Sequence, residues 1–289
     1  MGKPNFLIWF YCLLLRIEYT EDIYEREKIK MKTIFLTKKK LTIIFAVLMA
    51  LLVFGVFGFT RGAIQTAAQT KLLPIYCVQS DKKCVALTFD AAWGNEDTQE
   101  LIDTLGKYNA KATFFLVGSW VDKYPESVKS LSDAGHSIQN HSDTHPELPQ
   151  LSAEGIKKEI TLCNEKIRKI TKKNPTLIRP PYGAYSNSVI ECVNSLGMYT
   201  IQWDVDSLDW KDLSADEIYN RVTKKVKNGS IVLFHNAALN TPEALGKILK
   251  TLADEGYEFV TVEDLILKGS YTIDHTGMQI PLETLTTKE

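Results

Sequence analysis

Between residues 85 and 262, short apolar runs alternate with stretches whose apolar residues recur every three or four positions. The runs at 85–89, 113–117, 136–140, 177–179, 199–204, 230–235 and 258–262 read as strands. The periodic stretches at 98–108, 153–170, 187–196, 215–227 and 242–255 read as amphipathic helices. Local punctuation agrees with this division. Ser214-Ala215-Asp216-Glu217 has the form of a capping box, and Thr241-Pro242 sets a cap residue ahead of a proline suited to the first helical turn. Gly135, Gly197 and Gly256 each close a helical stretch just before a strand, where a left-handed residue ends a helix. Strands alternating with helices predict an α/β domain with a parallel sheet and outer helices, as a barrel or an open doubly wound sheet.

A different pattern precedes this domain. The uncharged run 41–59 approaches the roughly 20 apolar residues that cross a bilayer as a helix. Lys38, Lys39 and Lys40 stand directly before it, which keeps the N-terminus cytoplasmic and exports the chain beyond residue 60. A cleaved export signal, with an apolar region of about 7 to 15 residues, fits this run less well. The expected plan is a cytoplasmic segment 1–40 with Met31 as a candidate start, a membrane anchor 41–59, a linker 60–72, the α/β domain 73–268, and a loosely ordered polar tail 269–289. The protein is then a single-pass cell-membrane protein with its domain outside the cytoplasm.

Composition narrows the choice of partners. Lys and Arg number 34 against 35 Asp and Glu, a net charge of −1 that argues against nucleic acid. The 5 cysteines form no Cys-x-x-Cys pair, so a thiolate zinc cluster is not indicated. A hairpin joining 75–78 to 83–87 would set Cys77 opposite Cys84, where an oxidising compartment would allow a disulfide.

Chemically capable residues gather where the predicted strands end. Asp90 closes the first, His141 and His145 follow the third, Arg179 and Tyr182 the fourth, Asp206 and Asp209 the fifth, and His235 closes the sixth. That edge is where α/β proteins bind ligands. Each residue has a plain reading beside a chemical one. Asp90 is a helix cap or a general base held ionised by a cation such as Arg179. His141 and His145, four apart, are surface imidazoles or joint ligands of one metal ion. His235 is a satisfied core histidine or a general acid paired with a carboxylate. Trp93, Trp203 and Trp210 are core aromatics or walls of a sugar-binding groove.

Taken together, Thr88-Phe89-Asp90, His141-Ser-Asp-Thr-His145, Arg179-Pro-Pro-Tyr182, Asp206-Ser-Leu-Asp209-Trp210 and Leu233-Phe234-His235 resemble the ordered motifs of the polysaccharide deacetylase family, the NodB-type domain of carbohydrate esterase family 4. The resemblance spans about 85–265 and implies a distorted, incomplete (β/α)7 barrel. It implies Asp90 as general base, His235 as general acid, Arg179 holding Asp90, and Asp209 tuning His235. By the same resemblance the Tyr182 main-chain N–H helps hold an oxyanion, Leu233 and Trp210 line the acetyl pocket, and His141 and His145 hold a divalent metal of the zinc or cobalt class. The activity implied is hydrolytic N-deacetylation of an amino-sugar polymer. One departure stands out. The family has a second Asp after the base as third metal ligand, where this chain has Ala91. Asn95, Glu96 or Asp97 would have to swing in to replace it. The variant motif and the anchor are similar to the sporulation-associated branch of the family, which points to peptidoglycan. A catalytically silent wall-binding or scaffolding protein, and a deacylase of another acylated sugar, are the competing readings.

Overall fold

The structure is a computed structural model that describes residues 38–67 and 71–282, with side chains placed at 38–52 and 71–282. The expected segment before residue 38, its candidate start and the last residues of the tail lie outside the described residues. Helix Lys38–Ala67 covers residues 41–59, where an anchor was expected, and continues into the expected linker instead of ending at residue 59. Its side chains beyond residue 52 lie outside those described, and among the described residues no helix is long and apolar enough to cross a membrane.

Residues Thr70–Glu289 form a unit of their own. Its strands are β1 (Cys77–Val78), β2 (Cys84–Ala91), β3 (Thr113–Leu116), β4 (Ser137–Asn140), β5 (Leu177–Ile178), β6 (Tyr199–Thr200), β7 (Val205–Asp206), β8 (Ser230–His235), β9 (Glu258–Phe259), β10 (Tyr271–Ile273) and β11 (Met278–Pro281). The central order is β8-β2-β3-β4-β5-β6, and these neighbours are all parallel. The sheet curls until Ile75, just ahead of β1, bridges Ile201, just after β6. Ile75 N–H donates to the Thr200 carbonyl at 2.9 Å, and Gln202 N–H donates to the Ile75 carbonyl at 2.7 Å. With β1 also paired to β8, that bridge closes a distorted ring.

Strand alternation explains the two layers of the core. Val85, Leu87 and Phe89 of β2 pack in one apolar cluster with Leu101 and Leu105 of helix Thr98–Lys107 and with Ile248 and Leu249 of helix Thr241–Asp254. Ala86 belongs instead to a second cluster with Phe115, Leu177, Ile201 and Ile231. Because β2 is buried on both faces it reads as a continuous apolar run, as central parallel strands do. Phe89 stacks on Phe114 at 4.8 Å and Phe234 at 5.4 Å, locking β2 to both neighbours. Each ring so buried contributes roughly 1.5–3 kcal/mol.

Four expectations need correction. The 75–78/83–87 hairpin does not form: β1 pairs with β8 and β11, and Cys77 and Cys84 are free buried thiols. Cys77 faces Ser230 and Met278 in register, while Cys84 faces Glu258, so no disulfide joins them. The expected strand 199–204 breaks into β6, the Ile201 bridge and β7. The Asp204 carboxylate accepts Ile231 N–H and Ser230 Oγ at the break, in place of ladder bonds. The expected strand 258–262 stops with β9 at Phe259, and Thr261 instead caps a helix, Val262–Leu265, by accepting Asp264 N–H. The tail is not loose over its described part. The Asp274 side chain accepts Thr276 and Met278 N–H groups to turn β10 into β11. Buried Gln279 then pins β11 by bonding both main-chain groups of Leu267.

Candidate active site

Asp90 is next to last in β2 and lies in register with His235 at the end of β8. Its inward side chain would be expensive to ionise alone, and the fold supplies a counter-charge from another strand. Arg179 follows β5, is fully buried, and donates from Nη1 to Asp90 Oδ1 at 2.7 Å. Its Nη2 donates to the Gln202 carbonyl at 3.1 Å, and its guanidinium lies 4.3 Å from the Phe115 ring centroid. The arginine is thereby held flat and cannot swing away. Burial by itself would raise the Asp90 carboxyl; the Arg179 charge, with His141 and His235, outweighs it and holds Asp90 below the usual carboxylate range.

The second pair faces the first. Asp209 Oδ1 accepts His235 Nδ1–H at 2.8 Å, and Asp209 Oδ2 accepts the His235 main-chain N–H at 2.8 Å. Thr241 Oγ1 donates to Asp209 Oδ2 at 2.8 Å, and Trp210 N–H donates to Oδ1 at 3.0 Å. Burial alone would lower the His235 pKa. The hydrogen bond and charge of Asp209, helped by Asp90 and Asp206, overcome it and raise the imidazole above its ordinary value. The bond at Nδ1 leaves Nε2 free for chemistry.

His141 and His145 leave β4 through a turn in which Ser142 and His145 adopt φ values of 66° and 62°. Left-handed non-glycine residues cost on the order of 1–3 kcal/mol each, so the turn is held by its surroundings. His141 Nδ1 donates to the Arg179 carbonyl at 2.7 Å, which puts the lone pair on Nε2, 3.6 Å from Asp90 Oδ2. The two imidazole centroids are 5.0 Å apart, and His145 lies edge-on to Tyr182 at 4.6 Å. Burial pushes His141 down to about 4, against the raising influence of Asp90, and also lowers His145. Both imidazoles are therefore neutral near pH 7. A neutral pair with one tautomer fixed by a carbonyl is a donor set that suits a zinc-class cation. No group of three metal-binding side chains exists among the described residues. Ala91 is buried, Asn95 Nδ2 donates to Ser127 Oγ, Asp97 Oδ2 accepts Ala237 N–H, and among the described residues neither Glu96 nor Asp97 joins the two histidines as a third donor.

These residues surround a cavity of about 440 Å³. Asp90, His145, His235, Asp206 and Leu233 line it, with Trp93, Trp203, Trp210 and Tyr182 as aromatic walls. Trp93 and Trp210 are 58% and 53% exposed, and the Trp93 ring centroid lies 5.9 Å from that of His235. Tyr182 is 69% exposed and has φ 60° in the turn after Pro180 and Pro181. Arg179, His141 and Asp209 do not line the cavity but stand behind the residues that do. Of the residues singled out by sequence, His136 lies apart: it opens β4 at the opposite end from His141 and accepts Ala112 N–H on Nδ1. Sequence reasoning missed Asn236, whose side chain accepts Ala92 N–H and donates to the Gly94 carbonyl, fixing the loop that carries Trp93. Its place directly after His235 was the available signal.

The family model for polysaccharide deacetylases matches residues 78–201. Peptidoglycan-N-acetylmuramic acid deacetylase PdaA of Bacillus subtilis is 34% identical over 197 residues, covering 67% of this chain and 75% of that protein. The chain therefore belongs to the polysaccharide deacetylase family. Peptidoglycan-N-acetylmuramic acid deacetylase PdaC of the same organism is 38% identical over 188 residues, but this chain spans only 40% of its length. Among solved structures, the carbohydrate esterase family 4 pseudoenzyme BA3943 of Bacillus anthracis superposes with a TM-score of 0.65 at 36% identity, over 66% of this chain and 68% of that one. A mutant of that pseudoenzyme is described as having restored enzymatic activity.

Proposed function

We propose that this chain removes acetyl groups from the amino sugars of peptidoglycan. The observation that carries the proposal is the facing of two matched pairs across one cavity: Asp90 with Arg179, and His235 with Asp209. Asp90, held anionic, takes a proton from water as the oxygen adds to the acetamide carbonyl. The Tyr182 main-chain N–H stabilises the oxyanion. Protonated His235 delivers its Nε2 proton to the nitrogen as the C–N bond breaks, giving acetate and a free amine. Leu233 and Trp210 enclose the methyl group, and Trp93 stacks on a sugar ring. A divalent ion of the zinc or cobalt class on His141 and His145 would supply Lewis-acid polarisation of the carbonyl and of the water.

The names of the relatives support peptidoglycan as the polymer. The apolar run 41–59 behind three lysines supports a cell-membrane anchor with the domain outside, and with the variant first motif it supports a role in sporulation. A second reading, a wall-binding protein without turnover, is favoured by Ala91 and the likeness to a pseudoenzyme. Acetate release from purified peptidoglycan by the full chain, after chelator treatment and with added zinc or cobalt, separates the two. Metal-dependent release supports the deacetylase, whereas binding to the polymer without release under any metal overturns it.

A further inference from the structure

We propose that Glu159 is a positioning residue that clamps the turn carrying His141 and His145. Helix Ala153–Thr171 buries a stripe of Ile156, Ile160, Cys163 and Ile167 against the sheet. Glu159 stands on the flank of that stripe, half-buried rather than out in solvent. Its Oε2 accepts the Asp143 N–H at 3.0 Å and the Thr144 N–H at 2.8 Å, while Oε1 accepts Thr144 Oγ1 at 2.9 Å. An ordinary surface glutamate on a helix does not take three hydrogen bonds from one distant turn. The two main-chain donors lie between the two histidines, in the segment whose ends, Ser142 and His145, are left-handed. Two turns further along the helix, the clamp has a second arm: Lys166 Nζ lies 2.6 Å from Asp143 Oδ1.

The two imidazoles are not held alike. His141 is fixed independently, by its bond to the Arg179 carbonyl, whereas His145 is held within its own turn, by its N–H donating to Ser142 Oγ at 3.0 Å and by edge contacts with His141 and Tyr182. The spacing of the imidazoles therefore depends on the turn; Gly118 and Ser119 N–H groups hold its carbonyls at Ser142 and Asp143, and Glu159 holds its N–H groups at Asp143 and Thr144. The cation-binding part of this inference rests on the reading of His141 and His145 as metal donors; the positioning part does not.

The test uses the full chain in metal-free form, with Glu159→Ala and Glu159→Gln, and two readouts other than turnover. Cobalt(II) titration, followed by its visible absorption, is expected to weaken by about tenfold to a hundredfold for Glu159→Ala, as when a partner holding a metal ligand is removed. Glu159→Gln, which keeps the volume and one acceptor oxygen, is expected to fall between, and it carries the test if the alanine variant does not fold. Imidazole NMR is expected to show the His145 resonances displaced and those of His136 unmoved. Cobalt affinity within twofold of the parent in the folded variants, with His145 unmoved, overturns the proposal. So does equal displacement of His145 and His136, which marks a general structural role. If the parent itself binds no cobalt, the metal reading fails and the NMR comparison alone decides the clamp.

Discussion

Replacing Asp209 by Asn tests the acid half of the site, because it removes a charge while keeping shape. The Asp209 side chain is fully buried and accepts four hydrogen bonds: from His235 Nδ1, His235 N, Trp210 N and Thr241 Oγ1. An amide has one acceptor oxygen, so its NH₂ must face donors on one side. Each oxygen accepts one main-chain N–H, so either orientation puts one main-chain donor at risk; leaving a buried donor unsatisfied costs about 1–3 kcal/mol, and Asp209→Asn should lose about that much at neutral pH. The sign of the pH dependence is set by His235. Its folded pKa is raised, so its contribution is fully present below the unfolded value of about 6.5 and is lost as pH rises through the folded value. Without Asp209, burial is left to push His235 down, and each unit of change is worth about 1.4 kcal/mol. The stability gap between parent and Asp209→Asn should therefore be wider at pH 5 than at pH 9. The alkaline limb of acetate release should move to lower pH. Denaturant unfolding at both pH values, with NMR titration of His235, checks this. An unchanged His235 midpoint in Asp209→Asn would refute the reasoning.

Arg179→Met leaves Asp90 buried without its counter-charge, which should cost about 3–5 kcal/mol at pH 7. In the parent, Asp90 contributes stability above its unfolded pKa that is lost as pH falls through its lowered folded value, so the deficit of Arg179→Met should shrink in acid; a deficit independent of pH, measured by urea unfolding, would mean that the pair does not control Asp90. Asp90→Asn and His235→Ala should each abolish acetate release while circular dichroism stays native, and near-normal release in either would remove that residue from its role. Ala91→Asp should bind zinc more tightly and, in metal-free form, melt lower, because it buries a carboxylate at a position only 1% exposed; unchanged zinc affinity by competition with a chelating dye would show that residue 91 cannot serve as a ligand.

Much of the ring was legible because its helices keep the 3.6-residue period and because β2 and β8, buried along their length, stand out as continuous apolar runs. The strand-end cluster was legible for the same reason: once 85–89 and 230–235 are strands, Asp90 and His235 must share an edge. What escaped was held by single polar side chains. Asp204 interrupts a strand by taking its ladder bonds, Thr261 turns the last predicted strand into a helix cap, and Gln279 ties an otherwise polar tail into the sheet. None of these leaves a periodic trace. The Cys77–Cys84 pairing failed because the local hairpin lost to long-range partners, β8 and β11, which sequence distance conceals. At the site, the motif residues were visible, whereas Glu159 and Asn236 act through main-chain groups of other segments and carry no motif.

The energetics of the cleft bear on the choice between turnover and passive binding. A fully buried Arg–Asp pair is at best neutral against apolar residues of the same volume, so Asp90 and Arg179 are not explained by stability. The same holds for the left-handed Ser142 and His145, each of which a relaxed turn would avoid. A protein that only gripped the polymer needs the exposed aromatic walls, Trp93, Trp210 and Tyr182, and gains nothing from a carboxyl held below its ordinary pKa beside an imidazole raised above its own. Those opposite shifts, on adjacent strands and facing one cavity, are what proton transfer in two directions requires. Ala91 reduces the protein donors available to a cation but leaves the Asp90–Arg179 and His235–Asp209 pairs intact. The deacetylase reading therefore rests on whether two imidazoles hold a metal well enough: zinc affinity compared between the parent and Ala91→Asp measures what the missing carboxylate costs, and metal-dependent acetate release by the parent decides whether the remaining affinity suffices.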